Sequence, residues 1–250
     1  MKVLVITVAG SSTRFSRSIG KDCLKCIYTE SGTEDTLLFR LISMNDAYDR
    51  FVIVGGHRYD DLVSFIDKNL DGYGDRISVV RNERYADYGS GYSLLLGLEE
   101  AMRWNPDEIT FAEGDLALSK DDLDKVYASD KDVITYNLRT IRSDESVVFY
   151  FDSDDRPKYV YDTDHKLLMI NEPFRSVYNS GQVWKFRDMG KLKGIIENID
   201  ENGKKDTNLI FINAYFNSIS ATDIELIPLY KWFNCNTVSD YRRSVGDRDE

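Results

Sequence analysis

The sequence predicts an α/β fold: a doubly wound, mostly parallel sheet with a small antiparallel β extension. In the first half, β-rich apolar runs alternate with amphipathic helical stretches, the pattern of repeated βα units with strands buried on both faces. From about residue 140 the runs shorten and polar turns separate them, as in antiparallel meanders. The 250 residues are 42% hydrophobic and 12% aromatic, enough apolar material for a packed core. No internal repeat, low-complexity stretch or flexible linker interrupts them. One domain over 1–250 is therefore expected, with halves at 1–138 and 139–250.

VLVITV (3–8) is the first buried strand. Residues 36–48 carry Leu37, Leu38, Leu41 and Ile42 at helical spacing. FVIVGG is the second strand. Residues 59–70 place Leu62, Phe65, Ile66 and Leu70 on one helical stripe. ISVVRN is the third strand, GYSLLLGLEEAMRW a helix and EITFAEGD the fourth strand. Ser119 reads as the N-cap of KDDLDKVY, and DVITYNL is the fifth strand. In the second half SVVFYFD, PKYVYD and KLLMINE read as short antiparallel strands. Residues 188–199 and 206–219 read as helices, IELIPLY as a strand and VSDYRRSV as a last short helix.

The net charge of −11 disfavours binding to nucleic acid or anionic membranes. A phosphate site would need a local basic cluster, and Arg14, Arg17, Lys21 and Lys25 supply one against the single acid Asp22. No apolar run approaches the ~20 residues of a membrane span. The apolar run in MKVLVITVAG is too brief for a secretory signal, so a cytoplasmic protein is expected. Of the three cysteines, Cys23 and Cys26 form a C-x-x-C. Only Cys235, His57 and His165 remain as further zinc ligands, so apolar packing is the better reading of the thiols.

The segment Ala9–Lys25 follows the first strand, on the side where open α/β sheets bind ligands. It contains neither G-x-G-x-x-G nor G-x-x-x-x-G-K-[ST]. Ala9, Gly10, Ser11, Ser12, Thr13 and Arg14 nevertheless suit an anion. Gly10 permits close approach, successive amides can form a nest, the hydroxyls donate, and arginine offers a charged fork. The alternative is a polar turn with a surface arginine. Asp115 follows Gly114 at the end of the fourth strand, where a carboxylate can hold Mg²⁺ against phosphate; otherwise it is a turn aspartate. Asn82 ends the third strand. Gly89, Ser90, Gly91 and Tyr92 open the next helix, either facing a base or phosphate or forming an ordinary glycine-rich cap.

An early strand followed by A-G-x-x-x-R-F, a lysine shortly after, and G-D at a later strand end resemble the nucleotidyltransferases (pyrophosphorylases). The likeness is greatest to bacterial choline-phosphate cytidylyltransferases, through Asn82, Glu83, Tyr85, Ser90, Tyr92 and Ser93. It runs through residues 1–120 and thinly beyond. It implies a Rossmann-like nucleotidyltransferase fold, with 1–138 as a nucleotide-binding half and 139–250 as an acceptor-binding half. It implies transfer of a nucleoside monophosphate from an NTP, CTP favoured, to a small phosphorylated alcohol or sugar, with Mg²⁺ as cofactor.

By the same resemblance, the amides of Ala9–Thr13 hold the β- and γ-phosphates and Arg14 stabilises the departing pyrophosphate. A lysine meets the α-phosphate: Lys25 is preferred over Lys21. Asn82, Gly89 and Ser90 fall on the nucleotide side; Tyr92, Glu172 and Gly181 fall on the acceptor side. Asp115 is the first metal ligand. The family's late W-x-E-I-D-[ST] is WFNCNT here, which puts Asn236 at the aspartate's position and Asn234 at the glutamate's. An amide oxygen can still ligate magnesium, with one negative charge fewer. Trp184, Trp232 and the tyrosines could box a quaternary ammonium, though packing is their commoner use. The competing readings are a glycosyltransferase, against which Asp115-Leu116-Ala117 lacks D-x-D, and a nucleotide binder that has lost its chemistry. Nothing in the sequence indicates an oligomeric state.

Overall fold

The computed structural model describes residues 1–162, 164 and 166–246. In chain order it runs β1 (Lys2–Thr7), α1 (Thr13–Ile19), α2 (Leu37–Met44), β2 (Arg50–Gly55), α3 (Tyr59–Asn69), β3 (Ile77–Arg81), α4 (Ser90–Met102) and β4 (Glu108–Glu113). It continues with β5 (Leu116–Leu118), α5 (Lys120–Ala128), β6 (Asp132–Asn137), β7 (Val148–Asp152), β8 (Pro157–Val160), β9 (Phe174–Phe186) and α6 (Met189–Asn198). The chain ends with α7 (Glu201–Lys205), α8 (Leu209–Phe216), β10 (Ile224–Leu229), β11 (Trp232–Asn234) and α9 (Val238–Gly246).

The expected α/β class is what forms. The main sheet, nine-stranded among the described residues, has the order β10-β6-β9-β4-β1-β2-β3, with β7 and β8 extending it beside β9. β4, β1, β2 and β3 run parallel. β9 lies antiparallel between β4 and β6, and β5 pairs with β11 in a second, small antiparallel sheet. Alternation along β1 divides the core between the two faces. Leu4 and Ile6 pack with Leu38, Leu62 and Leu123 of α2, α3 and α5. Val3 and Val5 pack with Leu94, Leu98 and Ile212 of α4 and α8.

Several expectations shift. Residues 13–19 inside the expected first loop form α1. The helix at 36–48 stops at Met44, where the Asn45 amide folds back onto the Leu41 carbonyl. KLLMINE forms no strand. The Asp162 carboxylate gathers the amides of Asp164, Lys166 and Leu167 into a turn, and Leu167 and Met169 stay exposed. The helix expected over 206–219 is α8 alone, with α7 before it and an extended break at Asp206. Ser119 does cap α5, accepting the Asp122 amide.

Trp184 of β9 is fully buried, stacks on Phe111 at 5.3 Å and donates to the Tyr159 hydroxyl at 2.5 Å. This is a core position, not one wall of an aromatic box. Trp184→Ala should lower unfolding free energy by about 3–5 kcal/mol, as large core truncations do. Urea denaturation measures it, and a loss below about 1 kcal/mol would contradict this packing.

Candidate active site

The ends of β1 and β4 lie side by side and open onto one cavity. Gly114 lets them close up: its amide bonds to the Thr7 carbonyl at 3.1 Å, and a Cβ there would meet Val8 Cγ1 at 2.3 Å. After β1 the chain turns at Ser12, which takes a left-handed φ of 53°. The Ser12 hydroxyl accepts the Lys25 amide at 3.2 Å. That bond pins the far end of the loop to its start and holds Lys25 over the end of β4.

Four side chains from distant parts of the chain then converge. Lys25 Nζ donates to Asp115 Oδ2 at 2.6 Å and lies 3.5 Å from Asn236 Oδ1, which also accepts from Arg14 at 2.9 Å. Asp115 Oδ1 is buried with no hydrogen-bond partner among the described residues. The β5–β11 pairing and a Cys235 amide to Asp115 carbonyl bond of 2.9 Å bring Asn236 here. The cavity, about 300 Å³, is lined by Ala9, Gly10, Ser12, Arg14, Lys25, Gly89, Ser90, Asp115 and Asn236 among others. A recess of about 230 Å³ beside it is lined by Ser11, Ser12, Thr13, Arg14, Phe15, Lys25 and Asn236. Arginine, lysine and hydroxyls around a small recess are groups whose chemistry suits an anion, despite the negative whole-chain charge.

Of the remaining sequence candidates, Gly89 and Ser90 line the cavity, while Lys21, Asn82, Tyr92, Glu172 and Gly181 line neither hollow. Lys21 is exposed beyond α1 and lines neither hollow. Asn82 is buried behind the wall, its amide on the Ser93 hydroxyl and its oxygen on the Arg84 amide. Tyr92 packs edge-on to Tyr88. Glu172 is held by Lys158 and the Tyr150 hydroxyl, both at 2.6 Å. Gly181 packs on Thr135 and Leu229, while its neighbour Gln182 lines the cavity. Gly89 reaches the cavity, but a Cβ there would meet the Asp206 carbonyl at 2.0 Å. That carbonyl accepts the Gly91 amide, and Ser90 Oγ accepts the Asn208 amide. The glycines of G-S-G thus serve packing against the α7–α8 junction. Trp232 is tied to the Gly181 carbonyl, and the cavity's aromatic lining is Tyr85, Tyr88 and Tyr161.

Burial pushes the Cys26 and Cys235 thiols up to about 12, which keeps both protonated and unsuited to zinc. The zinc candidate His165 lies outside the described residues. No group of three or more His, Cys, Asp or Glu that could hold a metal occurs among the described residues. None of the described helices is long and apolar enough to cross a membrane.

Sequence reasoning passed over Glu113. It is the last residue of β4, two before Asp115 in the following turn, and both residues line the one cavity. Desolvation, then the Asp115 charge, push its carboxyl up to about 7, although Asn208 Nδ2 donates to it at 2.7 Å. A raised carboxyl favours the fold fully below its free value of 4.5, and that advantage is lost as pH rises through about 7. Glu113→Gln keeps an oxygen for Asn208 and never ionises. It should be more stable than wild type by about 3 kcal/mol at pH 8 and indistinguishable below about pH 4.5. Urea titrations across that range measure the difference; a pH-independent one would contradict the assignment.

The fold matches solved nucleotidyltransferases. Against the inositol-1-phosphate CTP transferase from T. maritima the TM-score is 0.67 at 16% identity, covering 98% of this chain and 95% of the other. Against the CTP:phosphocholine cytidylyltransferase from Streptococcus pneumoniae it is 0.63 at 18% identity, covering 100% and 99%. Against a UDP-glucose pyrophosphorylase complexed with UDP-glucose it is 0.71 at 14% identity, covering 99% and 98%. These likenesses establish the nucleotidyltransferase fold. No curated protein matches by sequence. By the match of residues 21–247, the chain belongs to the family described as domain of unknown function (DUF6564).

Proposed function

We propose that the protein is a magnesium-dependent nucleotidyltransferase. It would transfer a nucleoside monophosphate from an NTP to a small phosphate monoester, a phosphocholine-like alcohol or a sugar phosphate, and release pyrophosphate. CTP is the favoured nucleotide, on the resemblance of the Asn82–Ser93 segment to cytidylyltransferases. The observation that carries the reading is the meeting of Arg14, Lys25, Asp115 and Asn236 at one mouth, within 2.6–3.5 Å of one another in successive pairs.

The residues present fit magnesium. Asp115 Oδ1 is a buried oxygen with its lone pairs unspent, and Asn236 Oδ1, across the Lys25 ammonium from the Asp115 carboxylate, adds a neutral oxygen. One carboxylate and one amide oxygen suit an ion whose remaining sites are filled by nucleotide phosphates and water. When bound, the ion neutralises charge developing on the phosphate oxygens.

The chain's own residues do the rest. The Ser11–Thr13 hydroxyls and loop amides hold the terminal phosphates. Arg14 stabilises pyrophosphate as it departs. Lys25, released from Asp115 when phosphate enters, meets the α-phosphate as charge builds there. An oxygen of the phosphate monoester attacks the α-phosphorus in line, the bond to the β-phosphate oxygen breaks, and no covalent protein intermediate is needed. The test is pyrophosphate release over the four NTPs crossed with phosphate monoesters, in Mg²⁺. Turnover for one base–acceptor pair is expected; sugar transfer from a finished nucleotide-sugar without NTP would point instead to a glycosyltransferase.

A further inference from the structure

Asparagine at 236 creates an orientation problem that aspartate would not. A carboxylate presents oxygen at both ends, whereas an amide presents oxygen at one end and NH₂ at the other. Turned end for end, Asn236 would set donors against the Arg14 guanidinium and the Lys25 ammonium. Something must choose the end that faces them.

The choice can be followed through the hydrogen bonds. Asn236 Nδ2 donates to Asn234 Oδ1 at 2.8 Å, and Asn234 Nδ2 donates to Gln182 Oε1 at 3.1 Å. Each amide fixes the next, so with the Gln182 oxygen turned toward Asn234 the run has one direction.

Gln182 is held for this task by an irregular stretch of β9. Between the pairs Ile134–Trp184 and Tyr136–Ser180, β6 advances two residues while β9 advances four. Gln182 takes a left-handed φ of 57°, a strained conformation for a residue with a side chain. The surroundings over-determine it. Ser180 Oγ accepts the Gln182 amide at 3.1 Å, and the Thr135 hydroxyl bridges the Val183 amide and carbonyl at 3.1 and 2.7 Å. The Gly181 carbonyl accepts from Trp232 at 2.8 Å, and a Cβ on Gly181 would sit 2.4 Å from Thr135 Oγ1. Bulges of this kind re-aim a side chain beside functional sites; here the re-aimed side chain is Gln182, 6% exposed in the cavity wall.

We propose that Gln182 is a positioning residue: it fixes the polarity of the Asn234–Asn236 amides so that the Asn236 oxygen faces the cations. The assignment rests on the nucleotidyltransferase reading of Asn236. In the free protein, NMR of ¹⁵N-labelled side-chain amides reads the polarity without nucleotide. Gln182→Leu, which keeps bulk and removes the acceptor, should shift the Asn234 and Asn236 amide signals and speed their exchange. Gln182→Glu, which still accepts, should leave them hydrogen-bonded. Calorimetry with Mg²⁺ and the α,β-methylene analogue of CTP gives the second readout. Gln182→Leu should weaken binding roughly 10-fold, the lower end of what a misoriented metal ligand costs, because the partner of Asn236 is then free to turn. In an Asn236→Asp background the same change should cost less than about 2-fold, because the amide run can reverse. Unmoved Asn236 signals, or an equal loss in both backgrounds, would overturn the proposal. Failure of wild type to bind the Mg²⁺ nucleotide would count against the functional reading alone, and the amide signals would still decide the role of Gln182.

Discussion

Asp115→Ala should lower pyrophosphate release by roughly 10²-fold or more, a barrier increase of several kcal/mol. The reasoning is local. Asp115 Oδ1 is buried with no hydrogen-bond partner among the described residues, at a strand end in the wall of the cavity. The loss should fall on the chemical step and on Mg²⁺ dependence, while the fold persists, because among the described residues the side chain bonds to Lys25 alone. The variant should also release Glu113 from a neighbouring negative charge, so the Glu113 carboxyl should titrate lower than in wild type. Steady-state kinetics over a range of Mg²⁺ concentrations check the first effect. Activity within a few-fold of wild type would remove Asp115 from the site.

Lys25→Ala should cost about 10²–10³-fold in turnover, the scale of removing a donor aimed at developing charge. Lys21→Ala should change turnover by less than about 2-fold, since an exposed lysine outside the cavity sees the substrate only through solvent. The pair settles a choice the sequence leaves open. Both lysines follow the loop by a few residues, and spacing does not say which one turns inward. The Ser12 hydroxyl on the Lys25 amide does. Kinetics of both variants, each checked for an unchanged melting temperature, make the comparison. Equal losses at the two positions would contradict the geometry.

Much of the fold was legible because β1, β2 and β4 are buried on both faces and read as unbroken apolar runs. β9 was not legible as a strand. Its first five residues carry exposed Phe174 and Val177, and the irregular stretch at Ser180–Gln182 interrupts its alternation. KLLMINE misled in the opposite sense, being apolar yet unpaired. At the site, Arg14 and Asp115 were reachable because loop ends and strand ends can be read from pattern, whereas Lys25 and Asn236 were reached only through the resemblance to nucleotidyltransferases. Asn208 and Gln182 were not, because tertiary packing alone brings them to the cavity from the second half. Glu113 sat in plain view as the acid that ends the apolar run of β4, two residues before Asp115. The glycines of G-S-G also permit a close backbone crossing at Asp206, which the sequence pattern does not reveal.

The central claim is that the bond broken lies between the α- and β-phosphates of an NTP. Paired reactions with α-³²P- and γ-³²P-labelled CTP, Mg²⁺ and phosphocholine, extended to the other NTPs and to sugar phosphates, test it directly. The account predicts that α-label moves into a diphosphate-linked organic product while γ-label leaves as pyrophosphate. Label appearing as orthophosphate, or no transfer of α-label from any NTP to any acceptor, would contradict it.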